Sequence, residues 1–136
     1  MKICIVGVGA IGGWMGVQLA QAADVSLSAI ARGATLQTLQ LNRLQLTDAS
    51  GTRQVSVQAE ADPERLGPQD LVIVAVKGPA LAAVAPAVAR LMGPHTVVLT
   101  AMNGVPWWFF DGLPGACQGL QLDSVDPGGV ARTHIP

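Results

Sequence analysis

Uninterrupted apolar runs mark the strands of this chain. Ile3 to Val6 is such a run, as expected for a strand covered on both faces of a sheet. The segments Leu71 to Val76 and Thr96 to Thr100 have the same character, and we predict that both are buried strands. Val25 to Ala31 predicts a further strand.

Helical spacing of apolar residues fills the gaps between these strands. It predicts helices over Ala10 to Ala22, Ala34 to Asn42 and Pro79 to Leu91, the last with Pro86 inside it. Gly16 lies inside the first helix, where close packing is a plausible reason for it. Strands that alternate with helices favour right-handed crossovers, so we predict an α/β fold of the Rossmann type, doubly wound around a mostly parallel sheet.

The segment after the second helix has a different period. Leu44 and Leu46, and then Val55, Val57 and Ala59, alternate with polar neighbours, and a turn signal at 48–51 separates the two groups. We interpret 44–59 as an additional two-stranded β-hairpin with one solvated face. Asp62 and Pro63 then resemble the cap and first position of a short helix.

A glycine pattern joins the first strand to the first helix. Gly7, Gly9 and Gly12 complete G-x-G-x-x-G, and the strand–loop–helix context is the one that a dinucleotide fingerprint requires. In that interpretation the loop Gly7, Val8, Gly9, Ala10, Ile11 and Gly12 holds a pyrophosphate at the start of a helix. The alternative is a purely structural turn.

Three polar side chains follow other strands, at the edge of the sheet where ligands bind in such folds. Arg32 stands where an NAD-specific domain has an acid, and its guanidinium suits a 2′-phosphate, unless it is only a solvated loop arginine. Lys77 is either a cationic ligand contact or a lysine that reaches water from a strand end. Asn103 either binds ligand hydroxyls or serves the Asn-Gly turn.

Composition narrows the classes of function. The chain has 136 residues and a net charge of −1 without a basic block, which argues against nucleic acid as a partner. No uncharged apolar run reaches 18 residues, so we expect no membrane span. Cys4 and Cys117 form no disulfide framework or metal motif, which favours a cytoplasmic setting.

The remaining chemical candidates have simpler explanations. We interpret His95 and His134 as surface residues, and Asp123 and Asp126 as parts of a turn through Pro127-Gly128-Gly129 rather than metal ligands. The cluster 107–110 is Trp-Trp-Phe-Phe, which either lines a substrate pocket or packs against a second domain.

Together these motifs resemble the N-terminal domain of the ketopantoate reductases (2-dehydropantoate 2-reductases). The resemblance rests on Gly7–Gly13, Ala31-Arg32-Gly33, Val74–Lys77 and Asn103-Gly104, and it includes the hairpin before Asp62. It implies that the glycine loop, Arg32, Lys77 and Asn103 contact NADP (NADPH) and that Asn103 also lies near the 2-oxo acid substrate.

Two departures from the family pattern stand out. Met102 replaces the usual glutamine before Asn103, and the sequence stops at Pro136, before the helical second domain that carries the catalytic lysine in the family. We therefore expect residues 1–136 to form one NADP-binding domain, incomplete at its C-terminal end, with no catalytic residue of its own.

The resemblance implies reduction of 2-dehydropantoate to pantoate in pantothenate (coenzyme A) biosynthesis by the whole enzyme, a possible homo-oligomer. We expect this chain alone to be inactive. Two alternatives remain: an NADP-dependent dehydrogenase of another small 2-oxo or hydroxy acid, and a non-catalytic nucleotide-binding module.

Overall fold

A computed structural model describes all 136 residues as a five-stranded sheet, a separate two-stranded hairpin and four α-helices. Three short 3₁₀ turns span Pro63–Arg65, Gly78–Ala80 and Pro127–Gly129, and the last two lead directly into helices. The strands are β1 (Lys2–Val6), β2 (Ser26–Ile30), β3 (Leu44–Asp48), β4 (Gly51–Val55), β5 (Gln58–Glu60), β6 (Leu71–Val74) and β7 (Val97–Thr100). The helices are α1 (Ala10–Leu19), α2 (Gly33–Asn42), α3 (Leu81–Arg90) and α4 (Val130–His134).

The main sheet has the order β5-β2-β1-β6-β7, and every neighbouring pair is parallel. At its centre, Ile5 of β1 lies opposite Ala29 of β2 on one side and Ile73 of β6 on the other. This order, with helices on both faces, confirms the predicted Rossmann-type fold. It also brings the carboxyl ends of all five strands to one edge.

Alternate residues of the central strands supply two separate cores. Ile3 and Ile5 point to the face covered by α1, α2 and the hairpin, whereas Cys4 and Val6 point to the face covered by α3 and α4. All four are at most 1% exposed, as the apolar run predicts for a strand buried on both faces.

The predicted hairpin is correct at its turn and wrong at its end. Strands β3 and β4 pair antiparallel from Leu44↔Val55 to Asp48↔Gly51. The alternation that continues to Ala59 belongs to a different strand, because β5 leaves the hairpin and pairs parallel with β2, where Ala59 faces Ala29. Leu44 then packs on α1, and a Cβ at Gly16 would lie 2.8 Å from its Cδ2, which confirms close packing as the reason for this glycine.

The prediction that Thr96 to Thr100 is buried on both faces is also wrong. On β7, Val97 is 60% exposed and Leu99 is 43% exposed, while Val98 packs against the α3 core. The reason is topological. Helix α1 packs against β1 and α2 against β5, so the outer strand has no such cover on their side of the sheet.

Smaller differences concern helix ends. Helix α1 ends three residues before the predicted Ala22, and α3 continues through Pro86 to Arg90. Asp62 caps a short 3₁₀ turn as predicted, because its carboxylate accepts a hydrogen bond of 3.0 Å from the Glu64 amide.

Asp126 has a structural task that the sequence did not reveal. Its two carboxylate oxygens accept hydrogen bonds from the Ala131 and Arg132 amides, at 2.7 and 2.9 Å. The predicted turn at 127–129 is therefore a 3₁₀ turn that leads into α4. The longest helices have ten residues, and none of them has the length and apolar character needed to cross a bilayer.

Candidate nucleotide-binding site

One open crevice lies at the carboxyl edge of the sheet. It has a volume of about 750 Å³, and Gly9, Ala10, Ile11, Lys77 and Asn103 line it. These residues come from the loop and helix start after β1 and from the segments that follow β6 and β7. Three of the four strand-end segments singled out in the sequence therefore meet in one place.

Two glycines of the loop are required for packing. Gly7 has a φ of +102°, and a Cβ there would lie 2.8 Å from the backbone carbonyl carbon of Ala75. A Cβ at Gly12 would overlap the Gly7 carbonyl oxygen and lie 3.0 Å from Cγ2 of Ile5. Side chains at these two positions would push the loop and α1 away from the ends of β1 and β6.

Gly9 is different, because it lines the crevice and is not tightly packed. No atom lies within 4 Å of the position that its Cβ would take. Gly9 is also the N-cap residue of α1, where no side chain caps the helix and no acid lies in the first turn. The first amides of α1 are thus free to bind an anion, which can approach the backbone closely at Gly9.

Lys77 and Asn103 offer unused polar groups to the same space. Both are exposed, and their side chains make no hydrogen bond or ion pair within the chain. The amide of Asn103 is not consumed by the Asn-Gly turn, where Gly104 has a φ of +106°. A cation and a neutral amide next to a helix N-terminus are suited to phosphate and hydroxyl groups.

Arg32 lies outside the lining of this crevice. It is exposed at the N-terminus of α2 and lines a separate pocket of about 350 Å³, together with Pro63, Pro86 and Arg90. Its guanidinium has no carboxylate partner. Val8 in turn lines a third cavity, between α2 and the hairpin. The structure thus distributes the predicted ligand residues along the sheet edge instead of around a single cavity.

Sequence reasoning missed some crevice residues. Gly78, Thr100 and Met102 also line it. Two of them could have been found from the sequence, because Thr100 is the last residue of a predicted strand and Met102 precedes Asn103. The aromatic cluster divides. Trp107 is 6% exposed and belongs to the α3 core, whereas Trp108 and Phe109 are exposed.

The groups with clearly shifted pKa values lie away from the crevice. Burial in the middle of β1 raises the pKa of the Cys4 thiol to about 11. Hydrogen bonds from Ser50, and then Arg53, lower the pKa of Asp48 in the hairpin turn. No cluster of three or more His, Cys, Asp or Glu residues could hold a metal ion.

The fold and the crevice define a Rossmann-type α/β domain with a glycine-rich loop and an uncapped helix N-terminus after its first strand. The chain belongs to the family described as "Ketopantoate reductase PanE/ApbA", whose model matches residues 3–106. This family consists of NAD(P)-dependent oxidoreductases.

Individual relatives agree with this membership. The chain is 46% identical over 135 residues to a 2-dehydropantoate 2-reductase of Mesorhizobium japonicum. Among solved structures, a protein of Ralstonia solanacearum MolK2 provisionally assigned as a ketopantoate reductase is 54% identical, with a TM-score of 0.92 over 98% of this chain. A PanE/ApbA family ketopantoate reductase of Ralstonia eutropha JMP134 is 34% identical, with a TM-score of 0.69 over 82% of this chain and 36% of its own.

The alignments cover only part of these relatives. The first alignment covers 99% of this chain but 41% of the Mesorhizobium protein. The second covers 41% of the Ralstonia solanacearum chain. The chain thus spans about two fifths of the length of these two relatives.

Proposed function

We propose that residues 1–136 form the NADP-binding domain of an enzyme that reduces 2-dehydropantoate to pantoate, a step of pantothenate (coenzyme A) biosynthesis. The observation that carries this proposal is the crevice at the carboxyl edge, where the open backbone at Gly9 lies beside the unpaired side chains of Lys77 and Asn103. Family membership supports the reaction, and the two free cysteines are compatible with a cytoplasmic enzyme.

Each predicted residue has a defined part in cofactor binding. The loop Gly7–Gly12 holds the pyrophosphate through the free amides of α1, and Arg32, one strand away at the end of β2, binds the adenosine 2′-phosphate. Lys77 adds positive charge on the other side of the loop. When bound, NADPH supplies the hydride, and Asn103 orients the ligand and holds the polar end of the substrate.

The chain by itself holds the cofactor without completing the reaction. Its crevice contains no carboxylic acid or histidine, and the proposal assigns its one lysine, Lys77, to the cofactor. The proposed partners are a small 2-oxo acid and the helical region of the family that carries the catalytic lysine. Self-association is also proposed, since one relative is described as the dimeric ketopantoate reductase of Staphylococcus aureus.

Titration of the purified chain with NADPH and NADH tests the cofactor. Wild type should prefer NADPH, and Arg32→Ala should lose about 10- to 100-fold in NADPH affinity, because a hydrogen-bonded charge contact of about 1.5–3 kcal/mol disappears. NADH binding should remain unchanged. Lys77→Ala should weaken both cofactors.

Lys2→Ala is the matched control for these variants. It removes the same charge at the amino end of β1, on the opposite edge of the sheet. Equal wild-type affinity for NADPH and NADH would refute the 2′-phosphate assignment. Reductase activity of the purified chain on 2-dehydropantoate would refute the division of labour proposed for it.

A further inference from the structure

A smaller side pocket opens beside the cofactor crevice. Its volume is about 180 Å³, and four residues line both spaces: Gly78, Thr100, Met102 and Asn103. The two spaces therefore share a wall at the end of β7. A ligand that lies in the crevice at Asn103 is therefore next to the side pocket.

The far walls of the side pocket are apolar. Leu81, Val105, Trp107, Trp108 and Val125 form them. The indole rings of Trp107 and Trp108 pack edge to face, with centroids 4.4 Å apart.

Hydrogen bonds from Arg132 hold the apolar wall at Trp107 in place. The guanidinium of Arg132 donates to the Trp107 carbonyl oxygen at 3.3 Å and to the Asp111 carboxylate at 2.7 Å. Its backbone amide in turn donates to Asp126, which caps α4. The side pocket is therefore preformed by the fold.

The lining also determines what kind of group fits. No charged side chain lines the side pocket, and its polar side chains, Thr100 and Asn103, are the ones shared with the crevice. A carboxylate would lose its hydration there without gaining a partner, whereas an alkyl group would gain by leaving water. The side pocket therefore suits the apolar part of a ligand whose polar end stays near Asn103.

Its location relates the side pocket to the reacting half of the dinucleotide. Strand β7 lies two strands beyond β1, about 10 Å away, on the opposite side from β2 and Arg32. With the pyrophosphate at the glycine loop and the adenosine towards Arg32, the other half extends to Asn103, at the entrance to the side pocket.

We propose that the side pocket binds the alkyl part of the 2-oxo acid, which is the pair of methyl groups in 2-dehydropantoate, and sets its size limit through Met102 and Val105. This inference rests on the proposed function, because it takes the polar end of the substrate to lie at Asn103. Met102 is the residue that departs from the family's glutamine. Its thioether extends the apolar surface at the point where an amide would interrupt it.

A methyl-labelled methionine spectrum of the chain, recorded with NADP⁺, provides the test. The probes are pyruvate, 2-oxobutanoate, 2-oxopentanoate and 3-methyl-2-oxobutanoate. Only the Met102 methyl should shift, while those of Met15 and Met92, which lie outside both spaces, stay fixed. Affinity should rise about fourfold for each added methylene or methyl group.

Two substitutions separate the side pocket from general binding. Val105→Phe fills it from its exposed rim, so the branched and long acids should lose at least tenfold while pyruvate is unaffected. Val97→Phe, on the exposed face of β7, is the matched control and should change nothing. Met102→Gln should flatten the dependence on chain length.

Failure of this inference differs from failure of the proposed function. If NADP⁺ binds but the acids show equal affinity, or no acid shifts the Met102 methyl, the side-pocket assignment is wrong and the cofactor assignment stands. If NADP⁺ itself does not bind, the proposed function is wrong, although a length-dependent Met102 shift would still support the side pocket.

Discussion

Strands β1 and β7 have similar apolar sequences and very different surroundings. Residues 3–6 of β1 are at most 1% exposed, whereas Val97 and Leu99 of β7 are 60% and 43% exposed. Strand β1 lies between two neighbours and beneath helices on both faces, and β7 has one neighbour. Position in the sheet, and not composition, determines how much each apolar side chain stabilises the fold.

The contrast also separates stability from binding. The centre of the sheet holds the glycine loop in place, because Gly7 and Gly12 pack against the ends of β1 and β6. The segment after β7 contributes Met102 and Asn103, which line the crevice. Substitutions of the packed residues in and directly after β1 should therefore destabilise the chain, and substitutions after β7 should change what it binds.

The largest expected difference comes from truncating one residue in each strand. Ile5→Ala should lower the free energy of unfolding by about 4 kcal/mol, because Ile5 is fully buried and the cavity cannot be refilled. Leu99→Ala should cost about 1 kcal/mol or less, since this side chain is already partly in water. Urea unfolding of both variants measures the difference, and equal losses would show that β7 is covered in solution.

A pair of glycine variants sharpens the separation of packing from binding. Gly12→Ala should cost about 3 kcal/mol of stability, because the new methyl overlaps the Gly7 carbonyl oxygen. Gly9→Ala should leave stability within about 1 kcal/mol and instead weaken NADPH binding, since its methyl enters free space on the crevice side. Thermal unfolding with and without NADPH distinguishes them. A folded Gly12→Ala with normal stability would contradict the packing role.

The buried Cys4 thiol of β1 should make the stability of the chain depend on pH, whereas the exposed Cys117 should not. Burial raises the pKa of Cys4 from 9.0 to about 11, so the unfolded chain loses this proton first as the pH rises. The free energy of unfolding is therefore unaffected by this thiol below pH 9 and falls between pH 9 and 11, by about 3 kcal/mol at most. Cys4→Ala should remove this part of the slope in urea titrations. Cys117→Ala, at an exposed position, should retain it.

The smallest expected effect is a gain in stability at Arg43, directly after α2. Arg43 has φ 63° and ψ 179°, a backbone conformation that favours glycine. Arg43→Gly should raise the free energy of unfolding by about 1 kcal/mol, because the relief of strain exceeds the added flexibility of the unfolded chain. Arg43→Ala keeps a Cβ and should gain nothing. Equal effects of the two variants would exclude backbone strain as the cause.

Local sequence signals were sufficient to predict the strands, helices and turns, but they did not predict which elements pack against each other. The glycine loop, the hairpin turn and the cap at Asp62 follow from residues close together in the chain. The assignment of Ala59 to the hairpin failed because β-alternation continues across a strand break and does not specify the partner strand. The exposure of Leu99 depends on which helices lie above it, which no local pattern encodes.

The candidate site follows the same rule. Strand-end placement predicted that Lys77 and Asn103 meet the glycine loop, because parallel strands end at one edge. It could not predict that Arg32 lines a different pocket, since the other walls of that pocket come from the turn after β5 and from α3, which lie far from Arg32 in the sequence. The side pocket behind Asn103 required the docking of α4 through Asp126 and Arg132, across a segment with little regular structure.

The outer edge of β7 has a practical consequence for handling the protein. A strand with unpaired backbone groups on one side and an outward-facing valine and leucine is a template for pairing with another extended chain. Concentrated solutions of this chain should therefore lose material to edge-to-edge aggregation before the sheet itself unfolds. A single lysine at position 97 would be the simplest way to keep the samples soluble.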